Sequence, residues 1–259
     1  MAAPPTPGPV QCQFADRTVS VPQYSTPVAP VGLTPFAAGD PLPGLHLELR
    51  LSRTTFVAGA VIQPEVAVRN TSSSDATLVV NVSAMPQNAP ADPRSFPTVF
   101  PGPGPAPPPL RVAAGQTQSN TSLVQLPFDA AQGMQVHAVM RASGSTVSAD
   151  VPLKLTAAGP AQQLTIELRA DRQQWCARAT DTNGHTPSGP LFMVMTGQVV
   201  NTSQQSTSYM QSGTSSTTSD GVSAGRLASN VTATGSMTLV VFVGGENYET
   251  TKAETTISL

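Results

Sequence analysis

The sequence predicts an all-β protein made of two sandwiches. Three observations carry that expectation. Apolar residues recur with a period of two, most clearly where Leu45, Leu47, Leu49 and Leu51 alternate with His46, Glu48, Arg50 and Ser52. The chain holds 26 prolines in 259 residues, about twice the ordinary share. Turn residues punctuate the apolar runs at sandwich spacing, and no sustained helical period interrupts them. A chain this long has core enough for one or two domains.

Residues 1–43 form the first segment, with ten prolines by count along the chain. Proline supplies no backbone donor, so neither a helix nor a central strand is expected here. One reading is a flexible polyproline-like tail. The other is an extended arm that lies on a neighbouring subunit or on its own domains, docking through Val28, Val31, Leu33 and Phe36.

The first domain is expected over 44–158. Its strands are Leu45 to Leu51, Val61 to Asn70, Ala76 to Ala84, Gln118 to Leu126, Met134 to Ala142 and Thr146 to Leu155. A Pro-rich insert at 86–109 interrupts them and carries Phe96, Val99 and Phe100 among few charges. A segment of that length is either a mobile surface loop or a docking loop for a partner protein.

The second domain is expected over 159–259. The stretch Leu45 to Phe56 matches Leu164 to Trp175 without gaps, with Glu48, Leu49, Arg50 and Arg53 answering Glu167, Leu168, Arg169 and Arg172. Each copy ends in an aromatic suited to plug a core, so both read as first strands of two related domains. Downstream, Asp181 to Phe192 is a polar turn between the strand-like runs Trp175 to Thr180 and Pro190 to Thr196. Its Asn183-Gly184 pair suits a tight hairpin. Parity along the first run puts Trp175 with Ala177 and Ala179, and turns Cys176 to the other face beside Arg178. Further strands are expected at Val222 to Ser229, Ser236 to Val243 and Tyr248 to Leu259.

The series Leu164-Thr-Ile-Glu-Leu168, Ala179-Thr-Asp-Thr-Asn-Gly184, Pro187-Ser-Gly-Pro-Leu-Phe192, Thr218-Ser-Asp-Gly-Val-Ser-Ala224 and Val231-Thr-Ala-Thr234 resembles a bacterial immunoglobulin-like domain of group 1, the repeat of invasin- and intimin-type surface proteins. The likeness covers about 160–259. It departs from that pattern at Val199 to Thr217, a longer stretch rich in Ser, Thr and Gln. Phe56 to Gln63, followed by Val66 to Ser72, is similar to the sandwich of the intracellular proteinase inhibitor family. Together these resemblances imply two tandem immunoglobulin-like β-sandwiches behind a Pro-rich extended N-terminal arm.

Little in the sequence suggests chemistry. His46, His137 and His185 are scattered, with no carboxylate or cysteine at ligand spacing, so no metal or other cofactor is expected. Asp171, Asp181, Asn183 and Asp220 read as turn caps rather than cation ligands. Nucleophile-elbow, phosphate-loop and paired-carboxylate patterns are missing, so no enzyme activity is expected. Five Asn-x-Ser/Thr sequons occur, at Asn70, Asn81, Asn120, Asn201 and Asn230. Cys12 and Cys176 are the only cysteines, and three arrangements stand open: two free thiols, a bond between subunits, or a bond within the chain.

With 11% charged residues and a net charge of −2, neither nucleic acid nor a cation store is an expected partner. No run approaches the length of a membrane span. Met1 to Val10 has neither a basic region nor an apolar one of the secretory kind. The expected function is structural: a surface or decoration component of a multi-subunit particle, phage or virus-like, bound to other protein subunits in a homo- or hetero-oligomer. The alternative is a secreted or cell-surface bacterial adhesion module that meets a surface receptor. A third reading is a proteinase inhibitor acting through the insert at 86–109.

Overall fold

A computed structural model describes residues 8–22, 32–88, 109–128, 133–145, 147–189, 191–201, 206–216, 221–227 and 235–259. For 199–201 and 206–216 only the backbone is described. Twenty β-strands account for all the regular structure among these residues, and no helix long and apolar enough to cross a membrane is present among them. The chain divides into two compact units. One holds residues 29–161 with the turn 246–249, and the other holds 1–28, 162–245 and 250–259.

In the first unit, a four-stranded sheet has the order β10 (Thr117–Thr121), β7 (Glu65–Asn70), β4 (Leu45–Leu51), β3 (Thr34–Leu42). A five-stranded sheet has the order β5 (Thr55–Phe56), β13 (Ser148–Ala157), β12 (Met134–Ala142), β8 (Ala76–Pro86), β9 (Leu110–Val112). The expected alternation holds along β4, where all four leucines are buried. They join Phe56, Ile62, Val68, Leu78, Met134 and Met140 in one aliphatic core.

Two strands expected to be continuous are broken, and the breaks face each other. Val61 to Asn70 is split into β6 (Val61–Ile62) and β7, and Gln118 to Leu126 into β10 and β11 (Val124–Gln125). Pro64 stands in the first gap, where it has no N–H to give a ladder. Its carbonyl accepts from Ser122 N in the second gap, at 3.1 Å. Both chains therefore bend together, with β7 pairing β10 and β6 pairing β11.

In the second unit, a three-stranded sheet has the order β14 (Leu164–Ala170), β15 (Gln174–Asp181), β18 (Val222–Arg226). A four-stranded sheet has the order β17 (Ser206–Ser216), β16 (Leu191–Asn201), β19 (Gly235–Gly245), β20 (Tyr248–Ser258). Along β19 Met237, Leu239, Val241 and Val243 are buried, and on β16 Met193 and Met195 pair with Val243 and Val241.

Two expectations are corrected here. The Asp181 turn is not a hairpin, because β15 and β16 lie in different sheets. Gly184 does adopt positive φ, at 81°, and its N–H reaches the Asp181 carbonyl at 3.1 Å. Two prolines, Pro187 and Pro190, then precede β16, and the longer connection serves as a corner. The Ser/Thr/Gln-rich stretch Val199 to Thr217 contains an unforeseen strand, β17, at the edge of the four-stranded sheet.

The described residues of 1–43 do not form a single arm. β1 (Val10–Gln13) and β2 (Thr18–Val21) form a hairpin, and β3 adds an edge strand to the four-stranded sheet of the first unit. The proline rule holds in its weaker form: Pro35 and Pro41 are accepted on β3 because one side of an edge strand needs no donor.

Candidate functional site

The feature that sequence reasoning foresaw least lies in the second unit, where the β1–β2 hairpin covers one face of the sheet β14–β15–β18. Alternation along β1 sends Val10 and Cys12 inward, and Phe14 continues the series. They are buried with Val21, Cys176 and Val222 as a small separate core, and Val19 and Ala224 pack against it. Cys12 and Cys176 are joined by a disulfide with a Cα separation of 5.7 Å. Cys176 sits opposite Ala224, and Arg178 opposite Val222, so these four side chains share the covered face.

Arg178 closes the rim of this small core. Its Nη1 donates to Asp16 Oδ1 at 2.5 Å and its Nη2 to Glu167 Oε2 at 2.9 Å. The guanidinium lies over the Phe14 ring, 4.9 Å from its centroid. The hydrogen bond from Arg178 holds the Asp16 carboxyl below its ordinary pKa. The Gln174 amide donates to the Gln11 carbonyl at 3.2 Å, which ties β1 to β15 at a second point.

On the opposite face of β15, Trp175 is 2% exposed, beside the fully buried Ala177 and Ala179. Gly225 is its cross-strand partner. A Cβ added at Gly225 would stand 2.5 Å from Trp175 Nε1, so the missing side chain makes room for the indole.

Several of the remaining polar groups form short paired sets. On β4 and its neighbours a charge ladder runs from Asp40 through His46, Glu48 and Arg50 to Glu65. His46 Nδ1–H donates to Asp40 at 2.7 Å, and Arg50 bonds Glu48 at 2.7 Å and Glu65 at 2.9 Å. A concavity beside the β3–β4 turn is lined by Asp40, His46, Arg69 and Thr71. On β12, His137 is buried. Its Nδ1–H donates to Asp150 at 2.5 Å, and the Gln135 amide donates to its other ring nitrogen. Ser83 lies opposite His137, but its buried hydroxyl has no hydrogen-bond partner among the described residues. No group of three or more His, Cys, Asp or Glu able to hold a metal occurs among the described residues.

Asn70 is wholly buried. Its amide donates to the carbonyls of Ser74 and Val112, and its oxygen accepts from Ser72. The sequon there is therefore a turn brace with no surface for a glycan, whereas Asn81 and Asn120 are exposed. Asp181 caps its own turn by accepting from the N–H groups of Asn183 and His185.

Of the residues expected to dock a partner, Leu33 is half-buried before β3, and Phe36 on β3 is 41% exposed. Val28, Val31, Phe96, Val99 and Phe100 lie outside the described residues. The histidines, each without a ligand-spaced carboxylate in sequence, all gain one in space, since His185 stands 3.6 Å from Asp181. Sequence reasoning missed Phe14, Asp16 and their partner Arg178. The available signal was the alternation Val10, Cys12, Phe14 inside a segment dominated by its prolines.

Comparison with protein-family models and with curated proteins returns no match. Among solved structures, a red sea bream transglutaminase is similar at 16% identity over 84% of this chain, with a TM-score of 0.30. This chain covers 31% of that structure's chain.

Proposed function

We propose that the protein is a non-enzymatic structural component, two immunoglobulin-like β-sandwiches that serve as building or display modules of a multi-subunit assembly such as a phage or virus-like particle. The observation that carries this reading is how the ionisable side chains are used. Arg50, Arg178, His46 and His137 are each engaged by a neighbouring carboxylate, and Asp181 by the backbone of its own turn. Phe36, on the edge strand β3 and 41% exposed, supplies an apolar anchor for a neighbouring protein subunit.

Light scattering of the full chain across a wide concentration range tests the proposal. A discrete oligomer, weakened by Phe36→Asp without loss of folding, is the expected result. A monomer at every concentration, unaffected by that substitution, counts against it.

The secreted or cell-surface adhesion module is a second reading, and the disulfide fits it as well as it fits a virion surface. Such bonds persist on exported proteins and virion or cell surfaces. The proteinase-inhibitor reading rests on the insert at 86–109, which falls mostly outside the described residues.

A further inference from the structure

We infer that the β1–β2 hairpin is a redox-locked lid: reduction of Cys12–Cys176 frees it from the sheet β14–β15–β18, and the uncovered face then accepts the same hairpin from a second copy of the chain. Three observations and the weakness of an isolated hairpin lead there. The hairpin is a two-stranded sheet of its own, sharing no ladder with any neighbour among the described residues. It is held instead by side chains, chiefly Val10, Cys12, Phe14 and Val21, by the Arg178–Asp16 pair, and by one covalent bond. An isolated two-stranded hairpin is marginal in water, so without the covalent bond the lid depends on a small apolar patch and on its rim contacts from Arg178 and Gln174. The face beneath it carries Cys176, Val222 and Ala224, which cluster with the hairpin's Val10, Cys12, Phe14 and Val21 among the described residues.

Reduction is a two-electron exchange with a dithiol. A thiolate of the dithiol attacks one sulfur and expels the other, the second dithiol sulfur then closes a cyclic disulfide, and each cysteine leaves as a thiolate that takes a proton. Cys12 is fully buried and Cys176 is 5% exposed, so attack waits on local fraying around the bond while the bond still tethers the hairpin. The rate of reduction reports that fraying, and release of the hairpin follows it.

A second copy is the natural occupant because the hairpin already matches this face residue for residue. Exchange of an identical element costs few new contacts. Twelve residues separate Val21 from Thr34, counted from the ends of β2 and β3. A chain of that length can span at most about 40 Å, which sets the limit on how far the hairpin could be exchanged.

The full-length oxidised protein is treated with excess dithiothreitol at neutral pH and followed by alkylation mass spectrometry and amide hydrogen exchange. Two alkylated cysteines are expected. Protection of residues 10–21 should fall by at least about tenfold while β15, β16 and β19 keep theirs. Isotope-labelled and unlabelled reduced chains are then mixed at high concentration and reoxidised. The expected product is a dimer whose Cys12–Cys176 peptide pairs a labelled half with an unlabelled one. Unchanged protection at 10–21 after complete reduction overturns the lid. So does joint loss of protection in β15 and β19, which makes the hairpin an integral strand pair. Release of the hairpin followed by reoxidation only to unmixed monomers overturns the second copy as its occupant.

Discussion

The stretches Leu45 to Phe56 and Leu164 to Trp175 match without a gap, yet they build different things. The first half of one becomes β4, an inner strand flanked by β3 and β7 with every leucine buried. The first half of the other becomes β14, an edge strand on which Leu164 alone is buried and Ile166 and Leu168 are half-buried. After β4 the chain crosses to the other sheet, where Phe56 lies on β5, parallel to β13. After β14 it turns back at once, and Trp175 lies on β15 in the same sheet. The difference arises in the turn. Asp171, which answers Ser52, accepts the N–H groups of Gln173 and Gln174 at 2.7 and 2.9 Å and closes a tight reversal. The two stretches are therefore not equivalent first strands. A shared strand-plus-aromatic pattern fixed burial at its end, but the turn chemistry decided topology.

The comparison can be broken at its strongest point. Both terminal aromatics are buried, Phe56 at 1% and Trp175 at 2% exposure, although they sit in unlike topologies. Phe56→Ala and Trp175→Ala should each cost about 3–5 kcal/mol. Denaturant melts read by hydrogen exchange in each unit check this. A loss confined to one of the two variants would show that the shared aromatic has unequal weight. The matched leucines should instead diverge. Leu49→Ala should cost about 2–5 kcal/mol, because Leu49 is fully buried in the first core. Leu168→Ala on the half-buried edge strand should cost about 1 kcal/mol, in proportion to the area it hides. Equal losses at the two positions would restore the equivalence that the topologies deny.

Much of the strand content was legible because alternation is a local signal. Leu45 to Leu51 and Met237 to Val243 read directly as half-buried strands, and the parity of Trp175 against Cys176 could be read before any partner was known. Sheet membership was not legible. Asn183-Gly184 shows that the chain turns, not whether the next strand pairs beside the last or crosses over. The hairpin of residues 10–21 was hidden for a compositional reason: the prolines on either side outweigh eight strand residues in any window that spans them. The disulfide was one of three open arrangements, since nothing local relates positions 164 residues apart. The docking residues of 1–43 fare differently again. Phe36 lies on β3, so deleting that whole segment would remove an edge strand from one unit and the bonded hairpin from the other.

Trp175 offers a smaller and sharper test, because the matched stretch has no counterpart to its glycine. Gly225→Ala places a methyl group 2.5 Å from the indole nitrogen and 3.0 Å from Cε2. Overpacking of this kind should cost about 1–3 kcal/mol. Trp175→Phe removes the clashing ring, so Gly225→Ala added to it should cost markedly less. Additive losses in that double-mutant cycle would place the indole elsewhere in solution.

The smallest expected effect compares two carboxylates of the second unit. Both Asp16 and Asp181 are held below the ordinary carboxylate pKa, by different causes. For Asp16 the main cause is the hydrogen bond from Arg178. For Asp181 it is the backbone N–H of His185, joined by that of Asn183. A carboxyl whose folded pKa is depressed contributes stability above its unfolded value, about 3.9. That contribution is lost as the pH falls through the folded value. Acid should therefore loosen the hairpin rim at Asp16 and the corner at Asp181 in the same direction. Arg178→Gln should separate them. The Asp16 midpoint, followed by carboxyl-carbon NMR, should rise toward the ordinary value, while that of Asp181 stays in place because its donors belong to its own turn. Should both midpoints move together, Arg178 acts by disturbing the whole sheet. Should neither move, the Arg178–Asp16 pair does not hold the hairpin in solution, and the lid rests on its disulfide and four buried side chains.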